Sequence, residues 1–342
     1  MTDLAQMVGD LRQVASVRRI VLDDGAERGV RALAFSTGGG LDFWVLSDRS
    51  LDIGPLWWRG VQLGWQSPGG FRSPALTNVE GDDGLGFNRA LSGFLVTGGL
   101  DHTRQPANGQ PLHGRLPFSP ARVAAYGETH GSRAPILFVE GEVTQARIGG
   151  EALRLRRRIE APIGGDTLVI LDEVENIGFD PSPQAMLYHF NLGFPAVAPG
   201  TTVAVNGKEW IGPVEMPDGN PPETASATRV DDKESVTVAV IARSGSDNPL
   251  TVSFSFDTAT LPYLQLWRDL RPRCGLLAVE PCTSARLENG LSGTERVLEP
   301  GEKRRYTVAI TVMGTPPPLA AAGAKEKATA AAAIGAGALR GR

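Results

Sequence analysis

Short apolar runs broken every few residues by glycine or proline leave this chain little room for helices. Its 342 residues include 42 glycines and 25 prolines, about a fifth of the total against an average usage of about 12%. They are dispersed, without the period of a collagen or the clustering of a low-complexity tract. Punctuation this dense predicts many short strands joined by turns. Strands are expected at 17–22, 29–36, 42–47, 51–57 and 61–66, with Asp23-Asp24-Gly25 and Gly38-Gly39-Gly40 among the turns. Another is expected at 94–98, then a meander over 121–127, 136–147, 152–161 and 167–175. Later candidates are 185–191, 202–206, 236–243, 250–257, 263–268, 275–280 and 305–313. Segments 67–92 and 212–232 read as loops, and long ordered loops often carry function.

No repeat of 20–50 residues is visible, which weakens a propeller or solenoid. The expected class is all-β, one large antiparallel β-sandwich spanning 16–314 with little helix. Leu4, Met7, Val8, Leu11 and Val14 fall at helical spacing, so 1–15 is expected to be a short helix or arm. The Ala/Gly-rich tail over 315–342 is either a docked helix or disordered.

A net charge of −4 and a pI near 5.7 give no footprint for nucleic acid or an anionic membrane. No apolar run approaches the roughly 20 residues of a membrane span. The start, Met1 to Met7, lacks the basic and apolar segments of a signal peptide. Cys274 and Cys282 are the only cysteines, too few for a disulfide framework. A cytoplasmic location is expected. No phosphate-binding or dinucleotide loop and no nucleophile elbow appears, so no cofactor is expected. Exposed sheet edges pair readily, which makes a homodimer one expected state.

Three stretches carry chemistry. His113 lies in Pro111-Leu-His-Gly-Arg-Leu-Pro117, where Gly114 permits close backbone approach and the prolines restrain the loop. It either presents an imidazole to a ligand or bonds a backbone carbonyl. His189 lies in Tyr188-His-Phe-Asn191; on a strand, His189 and Asn191 share one face. It is either a buried, satisfied histidine or a proton donor, since imidazole exchanges a proton near neutral pH. Glu280 ends Gly275-Leu-Leu-Ala-Val-Glu280, and Pro281 is expected to stop the strand and leave the carboxylate at a sheet rim. It is either ion-paired or a desolvated base.

Arg49, Arg89, Arg104 and Arg115 sit at turn-like positions; they are either surface partners of aspartates or forks suited to sugar hydroxyls. Trp267 is either core or a stacking platform for a sugar ring. His102, His113 and His189 together offer imidazoles to a metal, although no local zinc spacing is present. No metal site is expected.

Taken together, His113-Gly114, His189 in Tyr-His-Phe-Asn-Leu-Gly, and Glu280 in Val-Glu-Pro resemble the aldose 1-epimerase (galactose mutarotase-like) superfamily. Leu298-Glu-Pro-Gly-Glu302 leading into Tyr306 is similar to that family's closing strand. The resemblance spans roughly residues 20–313, and the order and wide spacing of the three residues carry it. It implies a large β-supersandwich and an isomerase acting on a small carbohydrate without a cofactor. It further implies His189 as general acid, Glu280 as general base, and His113 and Arg89 as residues that hold the sugar. Asp269 is the candidate for the aspartate that contacts a ring hydroxyl. Alternatives are a lyase or isomerase on an oxidised sugar, metal-assisted or not, and a non-catalytic carbohydrate-binding protein.

Overall fold

Alternation of apolar and charged residues decides the longest strands of the molecule, whose computed structural model describes residues 6–242, 247–294 and 296–317. Strands β1 (Ser16–Val21), β2 (Arg31–Ser36), β3 (Leu41–Leu46), β4 (Asp52–Trp58) and β5 (Val61–Gln62) form one antiparallel sheet in chain order. Then come β6 (Leu95–Leu100), β7 (Arg122–Glu128), β8 (Ile136–Ala146), β9 (Ala152–Pro162), β10 (Thr167–Asn176) and β11 (Ser182–Leu192). The second half adds β12 (Thr202–Val205), β13 (Lys208–Ile211), β14 (Thr224–Arg229), β15 (Ser235–Ala242) and β16 (Leu250–Asp257). Last are β17 (Tyr263–Asp269), β18 (Leu276–Cys282), β19 (Arg296–Leu298) and β20 (Lys303–Met313).

A nine-stranded sheet runs β13-β12-β15-β16-β20-β10-β9-β8-β7. A third, six-stranded sheet runs β14-β17-β18-β11-β19, with β6 also paired to β11. This is the expected large antiparallel β-sandwich. Among the described residues, helix is confined to short 3-10 turns and the single turn Gly81–Gly84. No helix among them is long and apolar enough to cross a membrane.

The nine-stranded sheet turns one face inward. Its register sets Val139 against Ile159, Ile159 against Ile170, Ile170 against Val308 and Val308 against Phe256. All five are buried, each contributing about 1.5–3 kcal/mol relative to exposure. The outer face carries charges in cross-strand pairs such as Arg154–Glu175 (2.7 Å) and Lys303–Glu173 (2.9 Å). Such exposed pairs add little stability individually, and they keep the face soluble.

β11 is buried on both faces. Met186, Tyr188, Phe190 and Leu192 join the main core, with the Phe190 ring 4.9 Å from Phe254 and 5.5 Å from Phe94. His189 and Asn191 point the other way, toward a smaller cluster of Phe87, Leu91, Val96, Leu112 and Leu276. One sheet therefore separates a greasy interior from a pocketed face.

Two expectations change. Pro281 does not end its strand: β18 continues to Cys282, and Glu280 lies inside it, fully buried rather than at a rim. The stretch expected to loop over 212–232 contains β14, held by pairing along β17 from Thr224↔Arg268 to Arg229↔Tyr263. In the N-terminal arm, Leu11–Gln13 form a 3-10 turn. Residues 1–5, and the tail from 318 onward, lie outside the described residues.

Candidate active site

Strand register brings the two distant candidates together. β11 pairs with β18 through Leu187↔Cys282 and Phe190↔Val279, which sets His189 opposite Glu280. Pro281 has no N–H and interrupts the ladder between those pairs. On its other side β18 pairs with β17, which sets Gln265 opposite Glu280. His189, Glu280 and Gln265 thus form one row across three strands, where facing side chains meet. His189 Nε2 lies 3.6 Å from Glu280 Oε1, too long for a hydrogen bond.

Each member of the row is oriented from behind. Asn191 Nδ2 donates to the carbonyls of Gly93 (3.0 Å) and His189 (3.1 Å), which fixes its amide. Asn191 Oδ1 then faces His189 Nδ1 at 2.6 Å, so Nδ1 carries the hydrogen of that contact. Nε2 is left on the side of Glu280. Gln265 Nε2 donates to Glu280 Oε2. Glu280 Oε1 is buried without a hydrogen-bond partner, a costly arrangement unless a ligand completes it.

Around the row lies a cavity of about 280 Å³, lined by His113, His189, Glu280, Gln265, Trp267 and Arg104 among others. That volume is near the small end of ligand pockets and suits one monosaccharide-sized ring. Trp267 stands edge-on to His189, 5.7 Å between centroids. Phe87 stands 4.7 Å from His113, and the two imidazoles are 5.6 Å apart.

His113 is held by backbone. Its N–H donates to Arg104 O at 2.9 Å, and its carbonyl accepts from Gly99 N at 2.9 Å. The next residue has φ +80°, and a Cβ there would overlap the Gly99 carbonyl and come within 2.5 Å of His102 O. Only glycine fits. Burial drives the His113 pKa well below the ordinary histidine value, helped by the positive fields of His189, Arg104, His102 and Arg286. Its imidazole is neutral, and Nδ1 has no partner.

A stability effect follows from that neutrality. Unfolded, the imidazole takes a proton near pH 6.5; folded, it does so only at much lower pH. The contribution is complete above pH 6.5 and falls away as the pH drops below it. Between pH 6 and 5 the parent should therefore lose about 1 kcal/mol more unfolding free energy than His113→Gln. Urea titrations at the two pH values measure this, and parallel losses would show that His113 is charged in the folded protein.

The remaining expected contacts have protein partners and do not line the cavity around His189 and Glu280. Arg89 is exposed and paired with Asp82. Arg115 meets Glu80 at 2.6 Å and Gly109 O at 2.8 Å. Arg49 donates to the carbonyls of Arg72 (2.9 Å) and Ala90 (2.6 Å), bracing the loop behind Leu91. His102 Nε2 bonds Gln105 O at 3.0 Å, which turns it from the cavity and leaves His113 and His189 without a third imidazole. Asp269 is paired with Arg271. Asn191 serves His189 rather than the cavity.

Of the polar side chains that line the cavity, Gln265 is absent from the sequence reading, and Arg104 figures there only as one of several arginines at turn-like positions. Gln265 shares the face of Trp267 two residues on, and that spacing was the available signal. Arg104 is 1% exposed, and nothing local distinguishes it from the exposed arginines.

A family model described as Domain of unknown function (DUF4432) matches residues 27–312. No curated protein matches the sequence. Among solved structures, a "putative aldose 1-epimerase" from Klebsiella pneumoniae subsp. pneumoniae MGH 78578 is similar with TM-score 0.76 at 21% identity, covering 92% of this chain and 87% of that one. A galactose mutarotase-like protein from Clostridium acetobutylicum gives 0.56 at 15%, covering 87% of this chain and 98% of that one. A galactose 1-epimerase from Lactobacillus acidophilus NCFM gives 0.50 at 12%, covering 87% and 99%. At such identities the likeness concerns architecture: the fold is the galactose mutarotase-like β-sandwich.

Proposed function

The chain belongs to the family described as Domain of unknown function (DUF4432), and from that premise we propose that it is a carbohydrate mutarotase, interconverting sugar anomers by acid–base catalysis. One observation carries it: an imidazole nitrogen and a carboxylate oxygen without a hydrogen-bond partner stand side by side, 3.6 Å apart, on residues that line one cavity. A hemiacetal carbon bears two oxygens, the ring oxygen and the anomeric hydroxyl. Their separation is short enough for each to hydrogen-bond one of these groups.

In this reading His189 Nε2–H gives its proton to the ring oxygen while Glu280 Oε1 takes the proton of the anomeric hydroxyl. The C1–ring-oxygen bond breaks and an open-chain aldehyde forms. Rotation about C1–C2 presents the other carbonyl face. Ring closure then returns a proton to the anomeric oxygen and takes one from the former ring hydroxyl. Every proton is restored, so no co-reactant is consumed. Neutral His113 hydrogen-bonds sugar oxygens without adding charge, and Trp267 offers an apolar face to the ring.

The test is anomer exchange followed by NMR for a panel of free aldoses and keto sugars, including D-galactose and D-glucose. Acceleration of at least one sugar is expected. A sugar that binds in the cavity without faster exchange, or a panel with no acceleration, rejects the reading.

A further inference from the structure

Behind the carboxylate of the proposed base lies a buried cation with no carboxylate touching it among the described residues. Arg104 Nη1 donates to Gln265 Oε1 at 2.7 Å, while Nη2 donates to Ser284 O at 2.6 Å and to Cys282 Sγ at 3.1 Å. Gln265 in turn donates through Nε2 to Glu280 Oε2. We propose that Arg104 is a positioning residue, which acts through Gln265 to hold the Glu280 carboxylate with one oxygen engaged and the other free in the cavity.

The argument begins with the amide. A glutamine side chain accepts at one end and donates at the other. Turned over, Gln265 would set its NH2 against the guanidinium and its carbonyl against the carboxylate, two repulsive contacts in a buried site. The cation and the anion therefore fix a single orientation from opposite sides. Without Arg104, the amide retains only the carboxylate as a partner, and the carboxylate is free to swing Oε1 away from His189.

Arg104 is itself well anchored. Its two other acceptors belong to Cys282, on the same face of β18 as Glu280, and to the chain just beyond it. Its backbone carbonyl accepts the His113 N–H at 2.9 Å. One residue thus connects the neutral imidazole loop to the carboxylate, fixing the distance between a sugar-holding group and the base. This role rests on the acid–base reading above.

The test has an arm that requires no turnover. In the parent, the Gln265 side-chain NH2 pair donates to a charged oxygen, so its proton resonance lies downfield of free amides. Gln265→Leu removes that pair and assigns it. In Arg104→Gln the pair is expected to move toward the free-amide position or to broaden. Arg104→Lys, which keeps the charge but lacks the fork, is expected to restore part of the shift.

In the second arm, with whichever aldose of the panel the parent accelerates, Arg104→Gln should lower kcat about 10–100-fold with KM nearly constant. The acidic limb of the rate–pH profile should move to higher pH, because a nearby cation has been removed. If Arg104→Gln does not fold, Gln265→Leu leaves the arginine's other anchors in place and must show the same kcat loss. An unmoved amide resonance, or a loss carried by KM alone, overturns the proposal. A moved resonance in a protein that accelerates no sugar rejects the mutarotase reading and leaves the positioning role standing.

Discussion

Glu280→Gln should slow anomer exchange by about 10²–10⁴-fold, the usual worth of a positioned general base. The fold should survive. The substitution is nearly isosteric, and its carbonyl can still accept the Gln265 amide that now bonds Oε2. A carboxylate that is fully buried, with one oxygen unpartnered, contributes little to stability, so replacing it by a neutral amide should leave unfolding nearly unchanged or raise it slightly. Sugar binding should persist, because neutral hydrogen-bonding groups and Trp267 remain. The outcome separates a base from a ligand contact: a fall in kcat with KM nearly constant is the expected pattern. A variant that retains more than about a tenth of the parent rate shows that Glu280 is not the base.

The largest structural effect is expected on the core side of β11, at Arg157, whose guanidinium lies 5.9 Å from the centroid of the Tyr188 ring. Five hydrogen bonds leave its guanidinium: to Asp52 Oδ1 (2.7 Å), Ser50 O (3.3 Å), Thr97 Oγ1 (3.0 Å) and both oxygens of Asp172 (2.9 and 2.7 Å). Tyr188 adds a bond to Asp172 Oδ2 at 2.7 Å. Asp52 and Asp172 are 2% and 4% exposed, and burial already pushes the Asp52 carboxyl above its ordinary range despite the cation. Arg157→Leu would strand two desolvated carboxylates. Its expected cost is about 3–5 kcal/mol, a large part of the 5–15 kcal/mol typical of a domain. Chemical denaturation measures it, and a loss below about 1 kcal/mol would mean that water reaches the cluster and hydrates the acids.

Much of the architecture is legible in the sequence because it depends on neighbours along the chain. The alternation of Leu153, Leu155 and Ile159 with arginines marks β9, and the glycine turns mark its ends. β14 is different: Thr224, Ala225 and Ser226 show no apolar alternation, and the strand exists because β17 offers an edge. Pro281 signals a stop, yet β18 continues, because the proline falls where the ladder with β11 is interrupted and an N–H is not required.

The site is legible in residue type more than in geometry. His189, His113 and Glu280 are noticed for their chemistry and their setting. Their meeting depends on the register between β11 and β18, which no local pattern encodes. The arginines show the limit most clearly. Arg89, Arg104 and Arg115 have similar polar surroundings in sequence. One ends against Asp82 in solvent, one against Glu80, and one beneath the cavity, and only packing of distant loops decides among them.

Because His189 and Glu280 stand on neighbouring strands of one sheet, the gap between them is set by backbone spacing of about 4.8 Å between strands. It does not depend on the loops around the mouth. Insertions or substitutions in the segment that carries Leu85 and Phe87 can change which ligand enters while the distance between the proposed acid and base stays constant. On such a scaffold, specificity and chemistry are free to diverge at different rates.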